Sequence, residues 1–138
     1  MPSSIEEQRL YSMKKGLEFI SRPDADITEE NLEALYRCSV HETVDTADRL
    51  PSGMRYRNGP VHVVGAANTL CHTGLPHEKL DEYMASIIAF IREEDGLDTL
   101  TKASIIHAYM AWLHPYFDGN GRMARLLHMW FLLRCGCT

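Results

Sequence analysis

Apolar positions recur with a helical period along five separate stretches of the 138-residue chain, and polar or glycine- and proline-bearing segments divide them. In residues 5–21, Ile5, Leu10, Met13, Leu17 and Ile20 fall near helical spacing, and Arg22-Pro23 ends the run. A second helix is predicted over 28–43, with Thr28 or Asp26 as its cap and Leu32, Leu35, Tyr36 and Val40 turned inward. A third, over 77–94, has Pro76 at its start and Leu80, Met84, Ile87, Ile88 and Ile91 as its apolar stripe. A fourth, over 99–113, is capped by Asp98 or Thr99 and turns Ala103, Ile106, Met110 and Leu113 to the core. His114-Pro115 stops it, because proline disfavours a helical residue before it. The fifth starts near Asn120 and runs to Arg134, with Met123, Leu126, Leu127, Trp130 and Leu133 on one face and Gly136 as the stop.

Residues 50–76 break this pattern. The stretch is rich in glycine and proline, and Asn58-Gly59 is a hairpin signal. It lies between Met54–Arg57 and Val61–Val64, both of which suit short strands. The expectation is therefore a mainly α fold with a small β-hairpin flap between helices.

Composition narrows the class. At 45% hydrophobic and 24% charged, the chain reads as one soluble globular domain spanning 1–138. A domain of this length buries roughly two-thirds of its unfolded surface, so it needs no staples. The net charge of −5 argues against nonspecific nucleic-acid binding. No apolar run approaches the ~18 residues of a membrane span. The four cysteines form no CxxC pair, and the seven histidines follow no metal-site spacing. Reduced thiols and a cytoplasmic setting are expected.

The densest chemistry lies between the fourth and fifth helices, in His114-Pro115-Tyr116-Phe117-Asp118-Gly119-Asn120-Gly121-Arg122. Asp-Gly and Asn-Gly are ordinary turn dipeptides, and Asp118 would serve as the cap of the fifth helix. Other features point further. Gly119 and Gly121 flank Asn120 where the helix begins, so the first-turn N–H groups are open to an anion. Arg122 and Arg125 lie on the same side of that turn and suit a di- or triphosphate. Asp118 is a hard carboxylate placed to share Mg²⁺ with a nucleotide. His114 is the nearby side chain suited to removing a proton at neutral pH. Tyr116 or Phe117 would anchor the loop in the core, and His107 reads as a core histidine.

These residues resemble the Fic family. Its motif reads His-Pro-Phe, any residue, Asp or Glu, then Gly-Asn-Gly-Arg, with a second arginine three places on. Tyr116 in place of phenylalanine is the one departure. The segment Arg55-Tyr56-Arg57 to Val61-His62-Val63-Val64-Gly65 resembles the family's flap, and residues 5–137 resemble a Fic-type helical core.

The resemblance implies transfer of AMP from ATP to a Ser, Thr or Tyr hydroxyl of a target protein. His114 would take the hydroxyl proton and Asp118 would hold Mg²⁺. Gly119, Asn120 and Gly121 would cradle phosphate oxygens, and Arg122 and Arg125 would grip the departing β and γ phosphates. Val61, His62, Val63 and Val64 would receive an extended target segment by strand addition. The same site could remove AMP or transfer UMP or phosphocholine, and a binding module without catalysis is a third reading.

Many family members resemble one another in an inhibitory helix whose glutamate meets the second arginine. The nearest match is Ser3-Ser4-Ile5-Glu6-Glu7-Gln8, which ends in glutamine and reads as the opening of the first helix. The chain stops at Thr138, directly after the motif helix. The expectation is a trimmed chain or an inhibitory partner, and an unrestrained enzyme if no glutamate reaches Arg125.

Overall fold

The computed structural model describes residues 4–64 and 70–136, except the side chains of 63, 64 and 70–72. Five helices build it: α1 (Ile5–Ile20), α2 (Glu29–Ser39), α3 (Leu80–Arg92), α4 (Thr99–Leu113) and α5 (Asn120–Arg134). Short 3₁₀ turns follow α2 at His41–Thr43 and Thr46–Asp48, and another precedes α3 at His77–Lys79. The caps follow local chemistry. Ser4, Thr28 and Asp98 accept from the N–H groups of Glu7, Asn31 and Thr101 at the starts of α1, α2 and α4. Gly136, at φ 82°, donates its N–H to Leu133 O and closes α5.

Helices α4 and α5 pack most extensively on each other, α1 packs on α5 and α3 on α4, and α2 packs on α1 and touches α3. Its core joins Leu32, Leu35 and Tyr36 of α2, Met84 and Ile87 of α3, Ile106 and Met110 of α4, and Met123, Leu127 and Trp130 of α5. Trp130 Nε1 donates to Ala25 O at 3.0 Å, so the largest core side chain also satisfies its polar atom.

Two expectations about packing faces fail in part. In α1 Ile20 is buried and Met13 packs against the core as expected, but Ser12 and Gly16 are buried as well, whereas Ile5, Leu10 and Leu17 are exposed, Leu10 at 72%. The reason is the closeness of the helices. A Cβ on Gly16 would come within 2.9 Å of Ser39 Cβ and 3.2 Å of Leu126 Cδ1. Only small side chains fit that seam, so burial there does not follow hydrophobicity. Leu133, in the last turn of α5, is likewise exposed.

The strands also pair differently. Met54–Arg57 is irregular, and Asn58-Gly59 is not the turn of a ladder. Strand β1 (His62–Val64) pairs antiparallel with β2 (Leu70–Thr73), in the register His62 to Thr73 and Val63 to His72, with an irregularity before Val64. Residues 65–69 lie outside the described residues. The segment 54–57 is held by other bonds: Arg55 Nε donates to Glu33 Oε1 at 2.9 Å and Tyr56 Oη to Glu29 Oε1 at 2.6 Å. Side-chain anchoring to α2 outcompetes the strand propensity of 54–57.

Candidate functional site

The loop 114–119 is set by its two ends. At the first, α4 closes on His114, whose N–H donates to Met110 O at 3.1 Å. His114 adopts the left-handed conformation, φ 50° and ψ 60°, and is the only non-glycine residue at positive φ among those described. Proline at 115 disfavours the right-handed alternative, and such a conformation persists only where its surroundings over-determine it. Its ring Nδ1 lies 3.4 Å from Ala111 O. A carbonyl can only accept, so this contact favours the tautomer protonated on Nδ1.

At the other end, Gly119 caps α5 at φ 84° and ψ 9°. A Cβ at this position would overlap Val40 Cγ1, so glycine is required both for conformation and for space. Asp118 was expected to cap α5, and it does not: Gly119 is the cap, with no side-chain bond. Asp118 Oδ1 accepts instead from the N–H of Gly119 at 2.7 Å.

Asn120 departs from its expected place at the phosphate oxygens. It is buried, and its carboxamide braces the loop, accepting from Tyr116 N–H at 2.9 Å and donating to Tyr116 O at 2.7 Å. What it can offer a ligand is its main-chain N–H, beside those of Gly121 and Arg122 in the open first turn. Tyr116 is fully buried and stacks on Tyr36 with centroids 4.5 Å apart, which makes it the loop's core anchor. Phe117 is half-buried and faces the cleft.

The result is a cleft of about 440 Å³ lined by His114, Phe117, Asp118, Gly119, Asn120, Gly121, Arg122 and Arg125, with Arg9 reaching in from α1. Arg122 Nη1 donates to Thr43 Oγ1. Burial lowers the pKa of its guanidinium, Asp118 opposes that shift, and Arg9 and Arg125 add to it. Arg125 also walls a second cleft of about 450 Å³ with Ser104, His107, His128 and Met129. His107 is half-buried there, edge-on to His128 with centroids 5.5 Å apart.

Three arginines thus converge with the positive end of α5, and Asp118 is the acid lining the cleft. This arrangement is suited to a polyanion. Asp118 Oδ2 carries no hydrogen bond among the described residues. One open carboxylate oxygen beside a phosphate cradle fits Mg²⁺, which binds through one or two carboxylates plus substrate phosphates. Among the described residues no cluster of three or more His, Cys, Asp or Glu could hold a metal alone.

The sequence reading missed Arg9 and Thr43. Neither carries a local signal, because Arg9 lines the cleft and Thr43 meets Arg122 only in the folded chain. Of the expected docking residues, His62 is exposed and its Nδ1 lies 3.3 Å from Thr73 Oγ1, while Val61 is half-buried. Val63 and Val64 contribute backbone to β1, and their side chains lie outside the described residues. At the N-terminus Ser4 caps α1, so Ser4–Gln8 is the opening of that helix. No helix among the described residues is long and apolar enough to cross a membrane.

Comparison with known proteins agrees with this fold. A model of the Fic/DOC family matches residues 26–132. The chain is 24% identical over 126 residues to a probable protein adenylyltransferase of Aquifex aeolicus (strain VF5), covering 91% of this chain and 38% of that protein. It is 27% identical to the protein adenylyltransferase fic-1 of Caenorhabditis elegans, covering 95% of this chain and 25% of that one. The fold superposes on a Fic-domain signaling protein of Bacteroides thetaiotaomicron with a TM-score of 0.81 at 24% identity, over 99% of this chain and 52% of the other. The chain therefore spans well under half the length of these adenylyltransferase relatives.

Proposed function

The chain belongs to the Fic/DOC family, and on that premise we propose that it is a protein adenylyltransferase, moving AMP from ATP to a serine, threonine or tyrosine hydroxyl of a target protein. The observation that carries this reading is the single cleft that unites His114, Asp118, the open first turn of α5, Arg122 and Arg125. The names of relatives at 24% and 27% identity support the same reaction class.

In this reading Nε2 of His114 takes the proton of the target hydroxyl. The oxygen forms a bond to the α-phosphorus as the bond from that phosphorus to the β-bridging oxygen breaks, and pyrophosphate leaves. The N–H groups of Asn120 and Gly121 face the phosphate oxygens, and Arg122 and Arg125 receive the charge that develops on the leaving group. Asp118 would hold Mg²⁺, which supplies charge neutralisation between phosphates when bound. Arg122, braced by Thr43, is oriented before ATP arrives. The extended segment at β1 suits main-chain pairing with a target strand, with Val61, His62, Val63 and Val64 along it. Cys38 and Cys135 are free thiols, in keeping with work in the cytoplasm.

The test uses ATP labelled on the α or on the γ phosphate, incubated with the protein and a lysate. Label on protein from the α position alone, reduced about 10²–10⁴-fold in His114→Ala, is the expected result. Label from γ alone would mean a kinase. Label from neither would leave a UMP or phosphocholine donor, removal of AMP, or a binding module.

A further inference from the structure

Arg57 is the largest buried charge that the proposed chemistry does not use. It is 2% exposed, and all its side-chain acceptors are main-chain carbonyls. Nε donates to His114 O at 2.7 Å, and Nη1 to Gly59 O at 2.9 Å. Nη2 donates to Leu75 O and, at 3.3 Å, to Leu113 O. Its own N–H donates to Pro115 O at 2.8 Å. One planar group therefore ties three segments: the end of α4, the loop at 59, and the chain leaving β2.

The placement has a physical logic. Leu113 and His114 end α4, where the unpaired carbonyls make the negative pole of the helix. A cation there is stabilised by those carbonyls, and the charge of Glu78 supports it further against the cost of burial. Lysine could not reproduce the arrangement, because its point charge lacks the rigid fork that reaches separate acceptors at once.

Gly74 completes the contact. A Cβ on it would lie 2.8 Å from Arg57 Nη2, 2.9 Å from Val61 Cγ1 and 3.4 Å from His114 Cβ. The base of the two-stranded segment, the guanidinium and the residue carrying the imidazole thus close around Gly74 with no room for a methyl group. His114 is also the residue held at positive φ. Its strained backbone needs fixing from outside, and Arg57 bonds the carbonyls on both sides of it and its own.

We propose that Arg57 is a positioning residue: it locks the left-handed backbone of His114 to the base of the β1–β2 segment, so that the imidazole and the docked target approach each other in one fixed geometry. The inference rests on the adenylyltransferase reading for its kinetic consequence, but not for its structural one. A misplacement of about 1 Å can lower a rate ~10²-fold without loss of substrate binding.

The experiment compares wild type with Arg57→Lys, Gly74→Ala and Lys102→Met. Lys102 is the control: it is a buried cation that bonds Glu93 O and Asp95 and lies outside the cleft. The expected result in Arg57→Lys is kcat lower by ~10–10²-fold with KM for ATP changed less than ~3-fold. Gly74→Ala keeps the guanidinium but intrudes on it, so it should show the same split, and it decides the matter if Arg57→Lys does not fold. A kcat within ~2-fold of wild type in the folded variants, or an equal kcat loss in Lys102→Met at the same drop in Tm, overturns the proposal.

Amide hydrogen exchange supplies a readout without turnover. Protection should fall at Gly74 and His114 in both site variants while Leu127 in α5 stays protected, and unchanged protection at the first two overturns the proposal. If wild type transfers no AMP at all, the adenylylation reading fails and the exchange result alone decides the role of Arg57.

Discussion

Replacing Tyr116 by phenylalanine should stabilise this protein, although it touches the centre of the motif. The ring is fully buried and stacked on Tyr36 at an interplanar angle of 14°. The hydroxyl has no hydrogen-bond partner among the described residues. Burial and the neighbouring Tyr36 hold the phenol far above its usual pKa, so it stays neutral at every accessible pH. An unsatisfied buried hydroxyl costs about 1–3 kcal/mol. Its removal forfeits a few dispersion contacts of about 0.1–0.2 kcal/mol each, leaving a net gain of about 0.5–2 kcal/mol. With an unfolding entropy near 2.1 cal/mol/K per residue, a chain this long should gain about 2–7 °C in Tm. Differential scanning calorimetry measures it, and urea unfolding with an unchanged m-value confirms that the native state is responsible. ATP affinity should not move, because Asn120 bonds only the main chain of Tyr116. A lower Tm in the variant would refute the reasoning, since it would mean the hydroxyl has a partner worth more than its desolvation.

Gly119→Ala should lower stability by about 2 kcal/mol or more, from positive φ plus overlap with Val40, and should abolish ATP binding in a titration calorimeter. Asp118→Ala should leave Tm nearly unchanged while removing the gain in ATP affinity that Mg²⁺ gives wild type, and a retained Mg²⁺ dependence would place the metal elsewhere. Asn120→Ala should unfasten the loop and lower Tm by several degrees, because it orphans the buried N–H and carbonyl of Tyr116; a change in ATP affinity alone would return Asn120 to the phosphates. His41 makes stability depend on pH: burial first, then the charge of Arg37, lowers its pKa in the folded state, with Arg49 adding and Glu42 opposing. The unfolded state therefore binds more protons just below the ordinary value of 6.5, so stability is present above that value and is lost as pH falls toward the folded pKa. Tm measured between about pH 5 and 7.5 should show this slope, and His41→Gln should flatten it.

Much of the site was readable because its parts are close in sequence. His114, Asp118, Gly119, Arg122 and Arg125 lie on one loop and the first two turns of one helix, so local geometry brings them to one cleft. The limits of α4 and α5 were readable for the same reason, whereas the helix expected over 28–43 ends at Ser39 and the one expected over 77–94 spans Leu80–Arg92. Periodicity, the caps Thr28 and Asp98, and the Gly136 stop act over a few residues, and α4 and α5 begin and end where those signals stand.

What tertiary structure decided are the matters in which two distant segments compete for one place. The amino-acid order of α1 offers Leu10 and Leu17 for burial, but Ser39 and Leu126 approach Gly16 so closely that Gly16 is buried and those leucines are exposed. Met54–Arg57 has strand propensity, but Glu29 and Glu33 on α2 capture its side chains, and β1 pairs with Leu70–Thr73 instead. Asn120 could face a ligand or its own loop, and the buried main chain of Tyr116 claims it. Arg9, Thr43 and Arg57 acquire their neighbours only when the whole chain closes. The order of residues by itself determined the main helices and the motif, because those depend on neighbours a turn away. Packing determined which face is buried and which polar atoms remain for a ligand, because those depend on how closely distant backbones approach.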